Sequence, residues 1–195
     1  VLIVSAVVVY SQMQFILNKK IGFDKERVLM IQGSFALGDK SEAFKQEVKR
    51  LPAVESVTSS NSFPVDGTLR NNNEWWIDGL QNIKQGVGGQ IWQVADNYLS
   101  SMKMNIVEGR NLHQNTSADS NSVIINQTMA KKLGLEEPIG TQIRNFRPWN
   151  VIGVVEDFHF ENMKTEIRPL VLFSRNNNSA IIATRIKGEE ISTTN

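Results

Sequence analysis

Ten residues at the start of the chain, Val1 to Tyr10 (VLIVSAVVVY), carry only Ser5 and the tyrosine hydroxyl as polar side-chain groups, and apolar residues continue through Met13, Phe15, Ile16 and Leu17. Exposing such a segment to water is costly, so it must sit in a bilayer or in a protein interior. As a helix, ten residues rise about 15 Å, roughly half of a 30 Å hydrocarbon core. Residues 1–17 therefore read as the end of a transmembrane helix, with a short stalk to residue 20. A signal peptide needs an initiator Met, a basic region and a small-residue cleavage site, and none flanks this run. The start at Val1 reads as that of an excised piece. The competing reading is a buried N-terminal strand, since Val and Ile favour strands. Length favours the helix, and Ser11 to Gln14 contains no turn residue to stop it. Lys19 and Lys20 flank the span, and the positive-inside rule would put that end in the cytoplasm, a small vote from two residues.

Beyond residue 20 the chain expects water. Over all 195 residues, 41% are hydrophobic and 21% charged, and the mean hydropathy is −0.25, which excludes a polytopic membrane protein. Lys plus Arg number 21 against 20 Asp plus Glu, a net charge of +1 with no long run of either sign. A nucleic-acid partner needs a basic stripe, and there is none. The absence of cysteine rules out disulfides, thiolate zinc sites and a cysteine nucleophile.

Periodicity predicts short elements in mixed order. Arg27 to Gln32 has the length and residue types of a strand, and Gly33 to Asp39 reads as a loop. A helix capped by Ser41 follows, with Phe44, Val48 and Leu51 on one face, and Pro52 stops it. Val54 to Ser60 completes a strand–helix–strand unit. From Phe63 the texture changes, and Pro64, Asp66, Gly67 and Asn71–Asn73 lead polar chain into a second subdomain. There Ile91–Val94 reads as a strand and Asp96 as the cap of a helix over Tyr98–Lys103. Asn105–Glu108 leads to a turn at Gly109. Ser122–Ile125 is a strand, and Gln127–Leu133 a helix closed by Gly134 in the left-handed position. Gln142–Arg144 and Val151–Val155 form a hairpin, and Leu170–Ser174 and Ile181–Ile186 are further strands. This order is that of an α+β fold. The resulting domains are 1–20, 21–62, 63–150 and 151–195, the last returning to the first subdomain.

Most catalytic chemistry finds no motif. Gly134 to Thr141 has neither the spacing nor the lysine of a phosphate loop. Gly86-Val87-Gly88-Gly89 lacks the third glycine of a dinucleotide fingerprint and reads as a flexible turn. No nucleophile elbow and no zincin pair occurs. His159 lies among Glu156, Asp157 and Glu161, and could offer a nitrogen to a metal beside their oxygens. A zinc site wants three or four ligands, and no further histidine is near. A solvated loop with local hydrogen bonds is the simpler expectation, and no metal or cofactor is assigned. His113 sits in a polar loop without distinguishing context. Trp75, Trp76, Trp92 and Trp149 could stack on bases or sugars, but without a basic groove they read as core and interface. The Asn-x-Ser/Thr triplets at Asn115, Asn126 and Asn177 matter only in a eukaryotic secretory protein. Lys131 and Lys132 read as a solvated helix face.

Longer blocks say more. Gly22-Phe23-Asp24 and Leu51-Pro52-Ala53-Val54-Glu55-Ser56-Val57 come first, then Ala95-Asp96-Asn97-Tyr98-Leu99 and Glu108-Gly109-Arg110-Asn111-Leu112. Val123-Ile124-Ile125-Asn126, Leu133-Gly134, Pro138-Ile139-Gly140 and Val151 to Phe160 (VIGVVEDFHF) follow, with Pro169-Leu170 last. In this order they resemble the extracytoplasmic domain of bacterial ABC transporter permeases of the MacB/FtsX type, from the apolar run to about Lys187. The Gly22-Phe23-Asp24 entry resembles the second of two such domains in eight-helix permeases.

The resemblance implies a porter-like subdomain of strand–helix–strand units, with a smaller sabre-like subdomain inserted near Phe63. It further implies a permease homodimer in the bacterial inner membrane, driven by a separate cytoplasmic P-loop ATPase. The folded part would lie in the periplasm, facing a periplasmic or outer-membrane partner and catalysing nothing. Asp157, Phe158, His159 and Phe160 are expected to lock the loop after the central strand, with rings buried and Asp157 accepting backbone N–H bonds. Arg110, beside Gly109, is expected to pair with Asp96 or Asp119. Asn126 and Gly153 complete the structural motif, and no substrate site is named. Gln127 and Glu156 stand where the family usually has an acidic and a basic residue, so charge pairing there is not carried over. The chain ends as the second unit should acquire its helix, which would leave an unpaired edge. The rival function is a membrane-anchored sensor or ligand-binding domain, and an enzyme resting on His159 is third.

Overall fold

The structure, a computed structural model, describes residues 10, 22–24, 26–65, 68, 70–83, 85–95, 97–113, 119–160, 166–174 and 180–188. The apolar run apart from Tyr10, together with Asp96, Asn115, Glu161 and Asn177, lies outside the described residues. No helix among the described residues is long and apolar enough to cross a membrane. The fold is α+β, dominated by strands: β1 (Val28–Gln32), β2 (Val54–Ser60), β3 (Asn72–Ile77), β4 (Val87–Val94), β5 (Ile106–Gly109), β6 (Ser122–Asn126), β7 (Gln142–Arg144), β8 (Pro148–Val155), β9 (Leu170–Ser174) and β10 (Ile181–Ile186). Short α-helices lie between them, α1 (Ser41–Lys49), α2 (Tyr98–Ser101) and α3 (Gln127–Leu133) among the described residues.

Two sheet regions meet at one pairing. β1 and β2 both run antiparallel to β10, so they are parallel to each other with β10 between them. The predicted strand–helix–strand unit is thus split by the chain's last strand. The opening of this three-stranded arm onto the rest is the Ser60↔Val94 pair of β2 and β4. From β4 the pairing runs through β3, β7, β8, β6 and β9, and β9 pairs back to β4 in parallel. These six strands form a closed ring, with β5 added on the edge of β8. The ring draws strands from both sides of residue 150.

Strand alternation decides which core each side chain enters. On β9, Leu170 and Leu172 join one cluster with Phe63, Trp92, Tyr98, Ile181 and Ala183, whereas Val171 joins a second. On β6, Ile124 belongs to the first and Val123 and Ile125 to the second. Successive side chains point to opposite faces, so one face of the ring shares a core with the arm. The other face gathers Trp75, Ile143, Trp149 and Val151, with Met129, Ala130 and Leu133 from α3. Because both its faces are covered, β6 (SVIIN) is buried at every residue and reads as a continuous apolar run. The arm's opposite face packs on α1 through Ile31, Phe44, Val48, Val57 and Ile182.

Several local expectations change in the folded chain. Gly33 to Asp39 is more than a loop: Ser34–Lys40 forms 3-10 turns, entered from Gly33 at φ 76° and broken by a kink at Gly38 (φ 51°, ψ −133°). Ser41 does not cap α1, because the turn ahead of it is already helical and Ser41 takes helical angles itself (φ −57°, ψ −42°). The glycine run is no flexible turn, since Gly88 and Gly89 lie in β4. A Cβ on Gly89 would come within 2.5 Å of Met129 Cε and 3.0 Å of Pro169 Cβ, so that glycine lets α3 and the start of β9 close on the strand. Helix α2 stops at Ser101, short of Lys103, and Gly109 ends β5.

Candidate coupling site

Where the chain comes in, at Gly22-Phe23-Asp24, it touches both regions. Gly22 has φ +85°, and a Cβ there would lie 2.6 Å from Phe158 Cβ and 2.8 Å from Asp157 O. Only glycine allows so close an approach with that backbone. Phe23 meets the Phe158 ring edge-on at 6.2 Å. The Asp24 N–H donates to Met102 O at 3.0 Å, at the end of α2. Its carboxylate pairs with Lys103 Nζ and Arg185 Nη1, each at 3.0 Å. Burial pushes Asp24 up, but hydrogen bonds from Lys103 and the Glu26 N–H, with the charge of Arg185, outweigh it and hold the carboxyl below its ordinary range.

Arg185 on β10 is 2% exposed, a rare state for a charged side chain unless it is fully bonded. Its Nε donates to Ser101 O at 2.7 Å, Nη2 to Asp24 O at 2.7 Å, and Nη1 to Glu26 O at 3.1 Å. One guanidinium thus joins the entering segment, the end of α2 and the last strand, a geometry for which the fork of arginine is suited and lysine is not. The entry and the end of β10 are neighbours: Ile186 N–H donates to Arg27 O at 2.9 Å. A Cβ on Gly188 would come within 3.0 Å of Arg27 Cζ.

The loop after β8 receives the entry. Phe158 and Phe160 are buried, 5.4 Å apart, and both meet the buried Trp92 edge-on, at 6.0 and 5.1 Å. The Arg70 guanidinium lies 5.2 Å from the Trp92 ring and 5.9 Å from Phe160, and donates to Phe63 O, Val65 O and Phe160 O. His159 points between solvent and protein, half-buried. Among the described residues no group of three His, Asp or Glu is placed to hold a metal ion.

Asp157 accepts only one backbone N–H, that of Thr128 at 2.9 Å, and takes the Thr128 hydroxyl at 2.7 Å. It therefore caps α3 from outside. Asn126 caps the same helix from within: its Oδ1 accepts from Met129 N at 3.0 Å and from Leu170 N at 2.9 Å, while Nδ2 donates to Arg168 O. The wholly buried Asn126 has no room for a glycan. Gln127 Oε1 accepts the Asp157 N–H at 3.1 Å, so the acceptor that this position needs does not have to carry charge.

Gly109 and Gly153 face each other across β5 and β8. A Cβ on Gly109, at φ +75°, would run into Ile152 O, and one on Gly153 into Arg110 O. Arg110 N–H bonds to that same Ile152 O at 3.0 Å. The Arg110 guanidinium grips Asp119 with both nitrogens, at 2.8 and 2.6 Å, and its partner is thus Asp119. Arg110, helped by the His113 N–H, lowers the Asp119 carboxyl to about 2. The sequence reading missed Arg185, Lys103 and Arg70. An arginine inside an otherwise apolar strand, IIATRI, was the one available signal.

The tryptophans are core: Trp75 and Trp92 are wholly buried and Trp149 nearly so, while Trp76 covers Gly86.

Comparison with known proteins bears on the family and the fold as a whole. Residues 1–191 match the family model for the MacB-like periplasmic core domain. The structure resembles the periplasmic region of MacB from Actinobacillus actinomycetemcomitans, with a TM-score of 0.60 at 15% identity over 91% of this chain and 82% of that one. It also resembles the extracellular domain of the noncanonic ABC-type transporter YknZ from Gram-positive bacteria, with a TM-score of 0.57 at 15% identity over 83% of this chain and 84% of that one. No curated protein matches the chain in sequence. A family match across nearly the whole length makes this protein a member of the MacB-like periplasmic core domain family.

Proposed function

We propose that this domain is the periplasmic part of an ABC transporter permease, in which ATP hydrolysis by a separate cytoplasmic subunit moves the folded body without catalysis in the body itself. In this reading residues 1–17 are the end of a helix in the bacterial inner membrane, the permease is a homodimer, and a periplasmic or outer-membrane protein receives the movement. The three-stranded arm corresponds to the porter-like part, and most of the ring to the sabre-like insertion.

The observation that carries the reading is the clamp at Gly22–Asp24. A displacement brought in along a stiff helix is useful only if the next residues do not absorb it. Here those residues are fixed to the ring through Phe158, to α2 through Met102 O, and to the arm through Arg185. Arm and ring share one core and a single strand-to-strand pair, so a push on the entry can tilt one packed region against the other without unfolding either. The rival, a ligand-binding domain, would need a larger site than the cleft lined by Gln32, Phe35, Asn61, Thr68 and Ile181, which holds about 130 Å³ against the roughly 300–1,000 Å³ of common ligand sites.

The test uses the intact permease with its ATPase subunit in lipid nanodiscs, carrying spin labels at Glu55 in the arm and Glu136 beyond α3. The label separation is expected to change with the nucleotide state. In D24N/K103M the change is expected to shrink to less than half while ATP turnover persists. A separation that ignores nucleotide in the unaltered clamp would overturn the proposal.

A further inference from the structure

Phe146 is 90% exposed, more than any other large apolar side chain among the described residues. It stands in the turn between β7 and β8. Single exposed apolar residues are ordinary on protein surfaces, so exposure alone says little. The surroundings of Phe146 say more, because the turn is fixed on both sides of it. Asn145 N–H donates to Arg147 O at 3.3 Å, and Asn145 Oδ1 accepts from Trp149 Nε1 at 2.9 Å. Arg147 Nη1 donates to Asn121 Oδ1 at 3.1 Å. The Arg147 guanidinium lies 3.8 Å from the centre of the Trp149 ring, and Trp149 itself is buried against Phe173. Arg147 thus covers the Trp149 ring face next to the exposed Phe146. The bonds on either side of the phenylalanine preorganise the turn that carries it.

Arg147 has no carboxylate partner among the described residues. Its recorded contacts are Asn121 and the Trp149 ring, both neutral. A fixed aromatic ring beside an arginine that lacks a counter-ion is the composition of an interface anchor. Position adds a second argument. β8 runs from this turn toward the Asp157–Phe158 loop, where Gly22 packs. Its eight residues span about 26 Å at 3.3 Å each, so the turn and the entry lie at opposite poles.

We propose that the Asn145–Arg147 turn docks a second protein outside the membrane, with Phe146 entering an apolar pocket on that protein and Arg147 meeting a carboxylate at the pocket's rim. The inference rests on the functional reading above, which puts the entry pole at the membrane and this turn away from it. Because Trp149 roots the turn in the core of the ring, the contact connects the far pole with the body that the entry moves.

The test is made on the full-length permease in its own cells. A photo-reactive benzoylphenylalanine replaces Phe146 and, as controls, Ile83 and Val107, which are also exposed. Support requires a protein cross-linked at 146 and not at the controls, with the linked peptide mapping to an apolar pocket edged by Asp or Glu. The purified pair should then lose affinity at least tenfold with F146A, and also with R147Q, while F146Y loses less. Cross-links only to lipid or to a second copy, no cross-link at all, or equal affinity for F146A would each overturn the docking proposal. ATP turnover and the nucleotide-dependent label separation are expected to be unchanged in F146A. A failed dock with intact movement therefore refutes this inference alone, and lost movement in the unaltered permease refutes the reading beneath it.

Discussion

The ring and the arm are both sheets, but they are held by different means. Each of the six ring strands has two hydrogen-bonded neighbours, since β9 pairs back to β4. Closure removes the open edges that cost a small sheet its stability. Among the described residues the arm has an edge at β1, which pairs with β10 alone and leaves Leu29 58% exposed. Its private core holds Val54, Val57 and Ile182 as fully buried members, whereas the ring's inner core has eleven and two tryptophans among them. The arm is therefore held by the core it shares with the ring and by the polar contacts of Arg185, with little apolar packing of its own, whereas the ring also has a large core of its own. A region meant to shift against another is expected to have that imbalance, because low-stability units are the ones that move.

Substitutions at the fastenings should separate the two regions. The largest effect is expected from Arg185→Met, which strips three carbonyls and the Asp24 carboxylate of their donor. Breaking a buried ion pair on one side costs about 3–5 kcal/mol. Hydrogen exchange should speed up in β1 and β10 while β6 stays protected, and equal loss in both regions would mean that arm and ring are one cooperative unit. Gly153→Ala attacks the ring itself, and overpacking against Arg110 O should cost about 2–3 kcal/mol, read as a lower Tm with β6 and β8 opening first. Asn126→Ala removes an internal cap and orphans Leu170 N–H, for about 2 kcal/mol. Asn126→Asp should recover only part of the loss, because both N–H donors keep their oxygen while a buried carboxylate oxygen replaces the amide that donates to Arg168 O.

A smaller effect is expected from pH. The folded Asp119 carboxyl sits near 2 against an ordinary 3.8, so its contribution is complete above the ordinary value and disappears as pH falls through the folded one. Stability should drop between about pH 4 and pH 2 by roughly 1–2 kcal/mol, after allowing for the half-exposed Arg110. Denaturant midpoints measured across that window should flatten in R110Q. The smallest effect is expected at Leu29→Ser, within about 0.5 kcal/mol. A larger loss would show that the β1 edge is covered by chain beyond the described residues.

The parts that were legible in advance are those governed by near neighbours. β9 and β10 fall where short runs of strand-forming residues put them, and α3 ends in Gly134 at φ 72°, as a helix stop of that kind should. The resemblance added Asp157 and Phe158, whose spacing carries no chemistry on its face. Local signals failed where distant chain took over. Gly88 and Gly89 look like a turn until Met129 and Pro169 are brought against them. Asp157 accepts a backbone N–H, and the donor, Thr128, lies 29 residues earlier on α3.

Taken alone, the amino-acid order determined the length and type of most elements, the absence of cysteine chemistry, and family membership through its ordered motifs. Tertiary structure alone decided the closure of the ring, the strand slipped between β1 and β2, and the meeting of Gly22, Asp24, Lys103 and Arg185. The physical reason is range. Caps, turns and alternation are settled within a few residues, whereas a buried guanidinium or a paired strand takes its partners from 84 or 161 positions away, where only the packing of the whole chain specifies them.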